Sequence, residues 1–147
     1  AVADPGAELV RLAHREAIPV KPLVGPSSLL LALMASGLNG QSFAFHGYLP
    51  TDAQARATRL RQLEQRSRQE QQTQMLIETP YRNEAMLQAL CDTCAPSTLI
   101  CVATDLTLDT EAVITRSAQA WKNEIAQGKL PAFRKRPTVF LFLASAH

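Results

Sequence analysis

The chain has 147 residues, of which 46% are hydrophobic and 19% charged, and its formal net charge is +2. This balance excludes a disordered or fibrous chain, and so small a net charge does not require a polyanionic partner. No apolar run is long enough to span a bilayer and no signal peptide is visible, so we expect a cytoplasmic protein.

The amino-terminal region follows a pattern of helix, strand and helix. Asp4 and Pro5 predict a helix start, as N-cap and first helical residue. Residues 18–24 predict a short strand, which Pro19 and Pro22 interrupt. The strand leads into a turn and a second helix, so this region alone contains one strand-to-helix corner.

The turn at Gly25 opens a helix that is apolar almost all the way round. We predict Gly25 as the N-cap, Pro26 as the first helical residue and Gly37 as the stop signal. Ser27 and Ser28 add hydroxyl groups at the first turn. Because a helix N-terminus carries free N–H groups and partial positive charge, this end favours a carboxylate or a phosphate.

A strand at 42–50 and a long helix at 53–71 follow. His46 and Tyr48 are the strand residues with transferable protons, and Asp52 is the predicted N-cap of the helix. The helix carries five arginines, with Arg56 and Arg59 in its first half. Two interpretations stay open, a solvated helix face and a surface that contacts phosphates.

The second half of the chain alternates strands and helices. Thr79 and Pro80 predict the start of a helix, and Ser117 predicts the N-cap of another. The run at 98–103 is apolar throughout, which is typical of a strand buried on both faces. The predicted strands of this half lie at 73–78, 98–103, 111–116 and 138–143. This order of elements predicts an α/β protein.

Three cysteines, an odd number, argue against a disulfide framework. Cys91 and Cys94 form a single C-x-x-C, but no second pair or nearby histidine completes a zinc site. We predict that both are ordinary packing or surface residues and that the chain binds no metal.

Four ordered motifs carry a family resemblance. They are Asp4-Pro5-Gly6 before a helix, Pro-Leu-Val-Gly-Pro-Ser at 22–27, Phe-His-Gly-Tyr-Leu-Pro at 45–50 and Glu-Thr-Pro-Tyr-Arg at 78–82. Together they resemble the tetrapyrrole methylase superfamily of S-adenosylmethionine-dependent methyltransferases. Within it they are most similar to the branch that methylates a ribose 2′-hydroxyl of small-subunit ribosomal RNA.

The resemblance implies two α/β domains with the methyl donor in the cleft between them. Residues 1–38 would be the carboxyl-terminal part of the first, donor-binding domain. Residues 39–147 would be the second domain, with a mixed five-stranded sheet flanked by helices. The family's glycine-rich opening turn is absent from this sequence, so we expect a truncated chain that is inactive alone.

The resemblance also implies which residues bind the donor and the acceptor. The donor-binding positions are Ser27, Ser28, Ile77, Ala103 and Pro137. Small residues and main-chain groups at strand ends suit recognition of adenine and methionine by shape. The weaker acceptor-binding candidates are His46, Tyr48, Tyr81, Arg82, Arg56 and Arg59.

The catalytic residue is unknown from the sequence. Transfer to a hydroxyl needs in-line geometry and a route for the proton, and positioning supplies much of the effect. The groups that could take the proton are His46, Tyr48, Glu78, Tyr81, Arg82 and Asp105. None of them is decisive.

Two departures from the ribosomal branch keep other functions open. That branch has Pro-His-Arg where this chain has Pro-Tyr-Arg at 80–82, and Arg-Glu-Leu-Thr-Lys where it has Thr-Asp-Leu-Thr-Leu at 104–108. The expected function is RNA O-methylation by a homodimer. The alternatives are a C-methyltransferase that acts on a tetrapyrrole, and a non-catalytic binding or dimerisation module.

Overall fold

The computed structural model describes residues 2–130 and 132–145. Five strands and five α-helices form in these ranges, and a short 3-10 helix at Pro80–Arg82 precedes the fourth α-helix. The helices are α1 Ala7–Arg15, α2 Ser28–Ser36, α3 Ala53–Glu70, α4 Asn83–Thr93 and α5 Ala118–Ala126. The strands are β1 Phe43–Tyr48, β2 Thr73–Ile77, β3 Leu99–Thr104, β4 Ala112–Ser117 and β5 Thr138–Leu143.

The strands form one mixed sheet in the order β1-β2-β5-β3-β4. The β1–β2 pair is parallel, and the other three pairs are antiparallel. The carboxyl ends of β1, β2 and β3 therefore meet at one edge of the sheet, together with the start of β5. This architecture confirms the predicted α/β class with a mixed five-stranded sheet flanked by helices.

Helices cover the two faces of the sheet unequally. On one face α3, α4 and α5 pack against alternate residues of the central strands, with Trp121 and Phe140 fully buried there. On the other face, α2 is the one helix among the described residues that packs against the sheet. Its Ala32 and Leu33 belong to the same buried cluster as Leu141 of β5. Both faces of β3 are consequently covered, as its continuous apolar run predicts.

The predicted caps of α3 and α5 are confirmed. Asp52 Oδ2 accepts a 2.8 Å hydrogen bond from the Ala55 N–H, and Ser117 Oγ accepts a 3.1 Å bond from the Ala120 N–H. Each bond satisfies one of the free N–H groups of a first helical turn.

The predicted starts of α1 and α2 are wrong by two residues. Gly6 is the N-cap of α1, and the Asp4 side chain instead accepts a bond from the Gly6 N–H. Ser27, in an extended conformation, is the N-cap of α2, so the helix begins at Ser28 and not at Pro26. In both cases the proline belongs to the turn that leads into the helix. Gly37 ends α2 in the left-handed conformation, as predicted.

The predicted strand at 18–24 does not form. The segment has no regular secondary structure and pairs with no strand among the described residues, and the side chains of Leu23 and Val24 are 93% and 104% exposed. Its apolar residues supply strand propensity, but a strand also needs a hydrogen-bonded neighbour. None of the described residues of 2–26 is buried.

The buried residues of α3 and α4 match the periodicity of the sequence only in part. In α3 the apolar stripe of the sequence is Ala53, Ala57, Leu60 and Leu63; the two leucines are buried, together with Glu64 and Ser67, whereas Ala53 is exposed. In α4, Leu87 and Cys91 are buried and Ala85 is exposed. No helix of the described residues is long and apolar enough to cross a membrane.

Candidate active site

A cleft of about 400 Å³ opens at the edge of the sheet where β1, β2 and β3 end. Its walls come from these strand ends, the start of β5, the start of α2 and the loop after β3. The lining residues are Ser28, Tyr48, Ile77, Glu78, Pro80, Ala103, Asp105, Leu106, Leu108, Pro137, Thr138 and Val139. A cleft of this volume, with a largely apolar lining and a few polar groups, is typical of small-molecule binding sites.

The fold brings four of the five predicted donor-binding residues to this one cleft. Ser28, Ile77, Ala103 and Pro137 come from four separate elements and all line it. The fifth, Ser27, lies in an adjoining depression of about 540 Å³ that shares Ser28 and Ile77 with the cleft. A continuous concave surface thus connects all five positions.

The N-terminus of α2 lies at the cleft wall. Ser27 is the N-cap residue, but its hydroxyl makes no capping hydrogen bond. The N–H groups of the first turn and the positive end of the helix dipole therefore remain available to an anionic group. Two serine hydroxyls beside them can donate further hydrogen bonds.

Glu78 forms part of the cleft lining directly after β2. Its Oε1 accepts hydrogen bonds from Arg82 Nη2 at 2.8 Å and from the Thr79 N–H at 2.7 Å. The side chain is only 1% exposed, and its Oε2 is buried with no hydrogen-bond partner among the described residues. Arg82, a predicted acceptor-binding residue, is therefore engaged in an ion pair with Glu78.

Asp105 organises the loop after β3. Its Oδ2 accepts hydrogen bonds from Arg136 Nη1 at 3.0 Å and from the Thr110 hydroxyl at 2.8 Å. The residue has φ 52°, a left-handed conformation that Asp tolerates better than most residues. Its backbone N–H donates to the Pro137 carbonyl, so the loop is tied to the start of β5.

Asn83 supports the same wall from behind, and the sequence did not reveal it. Its Nδ2 donates to the carbonyl oxygens of Phe133 and Arg136 at 2.9 and 2.8 Å, and it lies 3.1 Å from the Thr138 hydroxyl oxygen. The residue is fully buried. A polar residue in the first turn of an otherwise amphipathic helix was the only sequence signal, and such a residue is usually solvated.

His46 lies on β1, away from the cleft lining. Its Nε2 donates a 2.6 Å hydrogen bond to Gln74 Oε1. Partial burial lowers the pKa of His46 below its ordinary value, the bond to Gln74 opposes this, and the positive charges of Arg59 and Arg66 lower it further. His46 is therefore a neutral structural residue at pH 7, and the structure does not bring it to the cleft.

Arg56 and Arg59 lie in the first half of α3, which starts at the cleft edge of the sheet. Arg56 Nη1 donates to the Thr51 carbonyl at 3.2 Å, while its Nε is buried and has no hydrogen-bond partner among the described residues. Arg59 Nη1 makes one long contact, of 3.4 Å, with Gln62. Neither arginine forms an ion pair with a carboxylate of the described residues. Both positive charges are therefore available to an anion.

The two tyrosines of the chain are largely exposed, and one of them, Tyr48, lines the cleft. Tyr48 lines the cleft and is 61% exposed, and Tyr81, directly after the lining residue Pro80, is 79% exposed. The structure therefore separates the predicted acceptor-binding residues. The tyrosines are largely exposed, Arg82 is paired, and the histidine and the two arginines lie on β1 and α3.

The three cysteines do not lie in environments that would activate a thiol. Cys91, Cys94 and Cys101 are free and buried, which confirms Cys91 and Cys94 as packing residues. Burial raises the pKa of Cys91 to about 12 and raises the pKa of Cys94 and Cys101 as well. Within the described residues, no group of three or more histidine, cysteine or acidic side chains could hold a metal ion.

Comparison with curated proteins finds relatives that share one name. The chain is 34% identical over 112 residues to the ribosomal RNA small subunit methyltransferase I of Vibrio cholerae, an alignment of 76% of this chain and 38% of that protein. It is 33% identical over 130 residues to the protein of the same name from Mesorhizobium japonicum, covering 88% and 43%. No family model matches the chain.

Solved structures share the fold. A structure of the methyltransferase CobJ superposes with a TM-score of 0.57 at 19% identity, covering 95% of this chain and 57% of that one. The cobalt precorrin-4 methyltransferase CbiF gives 0.56 at 13% identity, covering 95% and 58%. The relatives found by sequence and the shared fold support the resemblance to the tetrapyrrole methylase superfamily.

Within the superfamily, the relatives found by sequence belong to the ribosomal RNA branch, as the four motifs indicate. The chain spans about two fifths of the length of the curated relatives it matches. The structural neighbours include a uroporphyrin-III C-methyltransferase of Thermus thermophilus in complex with S-adenosylhomocysteine, at a TM-score of 0.50 and 18% identity. At this identity the likeness concerns the fold.

Proposed function

We propose that the protein is an S-adenosylmethionine-dependent methyltransferase that acts on a ribose 2′-hydroxyl of small-subunit ribosomal RNA. The observation that carries the proposal is the convergence of Ser28, Ile77, Ala103 and Pro137, from four elements, on one cleft. Relatives named ribosomal RNA small subunit methyltransferase I support the substrate class.

The residues of the cleft fit the chemical parts of such a donor. The N-terminus of α2, with Ser27 and Ser28, would bind the donor's carboxylate. The apolar wall at Ile77 and Ala103 would hold the adenine by shape, and the main-chain groups there can form hydrogen bonds with it. The donor would supply a methyl group on a positively charged sulfur, which is already a strong electrophile.

The chain's own groups would then orient the acceptor and exclude water. Two of the described residues that line the cleft carry carboxylates, Glu78 and Asp105. Glu78 forms an ion pair with Arg82 at 2.8 Å, and Asp105 forms one with Arg136 at 3.0 Å. The main contribution of this cleft would be positioning of the hydroxyl, which by itself can supply a large part of a rate enhancement.

The RNA would approach along the arginine-bearing side of α3. Arg56 and Arg59 have no carboxylate partner among the described ion pairs, and α3 begins at the sheet edge that forms the cleft. Arginine suits phosphate contacts because its guanidinium can donate two parallel hydrogen bonds. A ribosomal acceptor would place the protein in the cytoplasm.

The domain division and the oligomeric state are part of the same proposal. We assign residues 1–38 to the end of the donor-binding domain and 39–147 to the second domain, because all five strands lie after residue 38. We expect a homodimer, because Leu30 and Met34 of α2 are 51% and 76% exposed on an apolar surface. Apolar surface of this kind is often covered by a protein partner.

One alternative acceptor has support of its own. Solved neighbours act on tetrapyrroles, as their names state, and the exposed Tyr48 and Tyr81 could contact a flat macrocycle. A non-catalytic binding or dimerisation module, the third possibility from the sequence, would transfer no methyl group to either acceptor. The three functions make different predictions in one assay.

The deciding assay measures transfer of a radiolabelled methyl group by the protein expressed from its complete coding sequence. The acceptors are small ribosomal subunits lacking the modification, and uroporphyrinogen III. Label in RNA that is resistant to alkaline hydrolysis at one ribose supports the proposal, since a 2′-O-methyl group blocks cleavage there. Label in the tetrapyrrole, or in neither acceptor, contradicts it.

A further inference from the structure

Three exposed residues that are close in sequence to lining residues of the cleft, Tyr81, Arg134 and Lys135, form a group that is both aromatic and cationic and is here called the rim. Tyr81 follows the lining residue Pro80 and is 79% exposed. Lys135 lies two residues before Pro137, which also lines the cleft. A large aromatic side chain this exposed beside a cleft has little role in folding, because its ring buries almost no surface.

The Lys135 ammonium is placed over the Tyr81 ring. Its Nζ lies 5.9 Å from the ring centroid, within the range of a cation–π contact. The contact occupies one face of the ring, and the high exposure of Tyr81 leaves ring surface open to solvent. A flat group that stacks on that surface would complete a layered arrangement of group, ring and cation.

The base of the rim is held rigidly. The Lys135 N–H donates a 3.1 Å hydrogen bond to the Pro80 carbonyl, which ties the two sides of the rim together. Asn83 donates to the carbonyl oxygens on either side of Arg134 and Lys135, at Phe133 and Arg136. Lys135 itself has φ 59°, a left-handed conformation that lysine rarely adopts and that these bonds maintain.

The charges of the rim have no carboxylate partner within the part of the chain that the structure describes. Arg136 is paired with Asp105, whereas Arg134 and Lys135 have no ion-pair partner among the described residues. An exposed aromatic ring beside unpaired cations is the combination by which proteins bind single-stranded nucleic acid, with bases on the ring and phosphates on the cations. A double-stranded helix could not offer a base face to the ring.

We propose that Tyr81 stacks an unpaired base of single-stranded RNA at the cleft mouth, while Arg134 and Lys135 contact its phosphates. This inference rests on the proposed function, because it specifies how the same cleft receives RNA. The stacked nucleotide lies next to the one whose ribose enters the cleft. The acceptor is accordingly an unpaired segment of RNA.

The test measures binding of a fluorescently labelled, single-stranded 12-nucleotide RNA by anisotropy at several salt concentrations. Tyr81→Ala is expected to weaken binding by about tenfold, and Tyr81→Phe to bind like the wild type, because stacking needs the ring and not the hydroxyl. Tyr81→Ala should leave the salt dependence unchanged. Lys135→Met should reduce the salt slope by about one, because it removes a phosphate contact.

Lys129→Met is the matched control for charge, since Lys129 is exposed and lies outside the rim. It is expected to bind RNA like the wild type. Thermal unfolding of each variant checks that the fold is intact, which we expect because Tyr81 is so exposed. A duplex of the same length should bind the wild type and Tyr81→Ala equally.

The outcomes separate this inference from the proposed function. If the wild type binds the RNA and Tyr81→Ala binds it equally well, the stacking role is wrong and the proposed function is unaffected. If the wild type binds no single-stranded RNA but methylates a tetrapyrrole, both are wrong. Weaker binding by both Tyr81→Ala and Tyr81→Phe would also overturn the inference, because it would assign the effect to the hydroxyl.

Discussion

Arg136 Nη1 donates a 3.0 Å hydrogen bond to Asp105 Oδ2 and so joins two cleft segments that are 31 residues apart in the sequence. The Asp105 side chain is 7% exposed and that of Arg136 is 38% exposed. The bond connects the loop after β3 to the start of β5. This charged pair, together with the Thr110 hydroxyl, therefore helps to hold one wall of the cleft.

Replacement of Asp105 by Asn should loosen this wall. Asn also tolerates the left-handed conformation, so the change removes charge without adding backbone strain. We expect a loss of about 1–3 kcal/mol in the free energy of unfolding, the usual range for a hydrogen bond to a charged group that is left unmade. Urea denaturation measures it. Asp109→Asn, at an exposed position, is the control and should change stability by less than about 0.5 kcal/mol.

The second prediction concerns the stability that the buried Glu64 of α3 contributes. Its Oε1 accepts hydrogen bonds from the Ala95 N–H and the Thr98 hydroxyl, so it holds the turn between α4 and β3. Glu64→Gln should cost about 1–3 kcal/mol, because two donors lose a charged acceptor. The control Glu70→Gln affects only an exposed pair with Arg66 and should cost less than about 1 kcal/mol. Equal losses for the two variants in urea denaturation would contradict this account.

The sequence predicts the local features of the fold but not these two hydrogen-bond networks. Local signals predicted the strands of the sheet and the caps at Asp52 and Ser117, because periodicity and capping act within a few residues. Glu64, Asn83 and the Asp105–Arg136 pair form contacts across 31 residues or more, and no local pattern encodes them. They look like ordinary solvated residues in the sequence.

The predicted strand at 18–24 is wrong for a different reason. Its apolar residues carry strand propensity, but strand formation depends on a neighbour, and propensity alone does not supply one. Conversely, the resemblance placed Ser28, Ile77, Ala103 and Pro137 at donor-binding positions, and the fold brings them to one cleft. Their residue types alone would not have selected them, because small and apolar residues at strand ends are common.

The cysteines should be inert in the folded protein. Burial raises the pKa of all three thiols, that of Cys91 to about 12, so almost no thiolate exists at pH 8. We expect no reaction with a thiol reagent such as dithionitrobenzoate under native conditions, and reaction of three thiols in 6 M guanidinium chloride. Rapid labelling of the native protein would contradict the burial of the cysteines.

The same shift makes stability fall at high pH. The folded state binds protons on these thiols more tightly than the unfolded state, whose ordinary cysteine pKa is 9.0. The stabilisation is therefore complete below pH 9 and is lost as the pH rises from 9 towards 12. Urea denaturation of Cys91→Ala should show a shallower loss over this range than the wild type does.

His46 gives the opposite dependence at low pH. Because burial lowers its pKa in the folded state, the unfolded state takes up the proton first, and stability falls as the pH drops below the ordinary value of 6.5. His46→Gln should flatten the pH dependence of unfolding between pH 6.5 and 5. The control His14→Gln removes an exposed histidine of α1 and leaves the His46–Gln74 hydrogen bond intact.

The central claim is that the cleft at the ends of β2 and β3 binds S-adenosylmethionine, and calorimetric titration of the protein from its complete coding sequence tests it most directly. Ser28→Leu narrows the cleft at an exposed position, and Ser97→Leu, exposed just before β3 at the opposite edge of the sheet, is its matched control. We predict binding by the wild type and Ser97→Leu, and binding weakened by at least about tenfold in Ser28→Leu, since a filled pocket excludes its ligand. No heat of binding in the wild type at millimolar donor, or equal affinity in all three proteins, would contradict the claim.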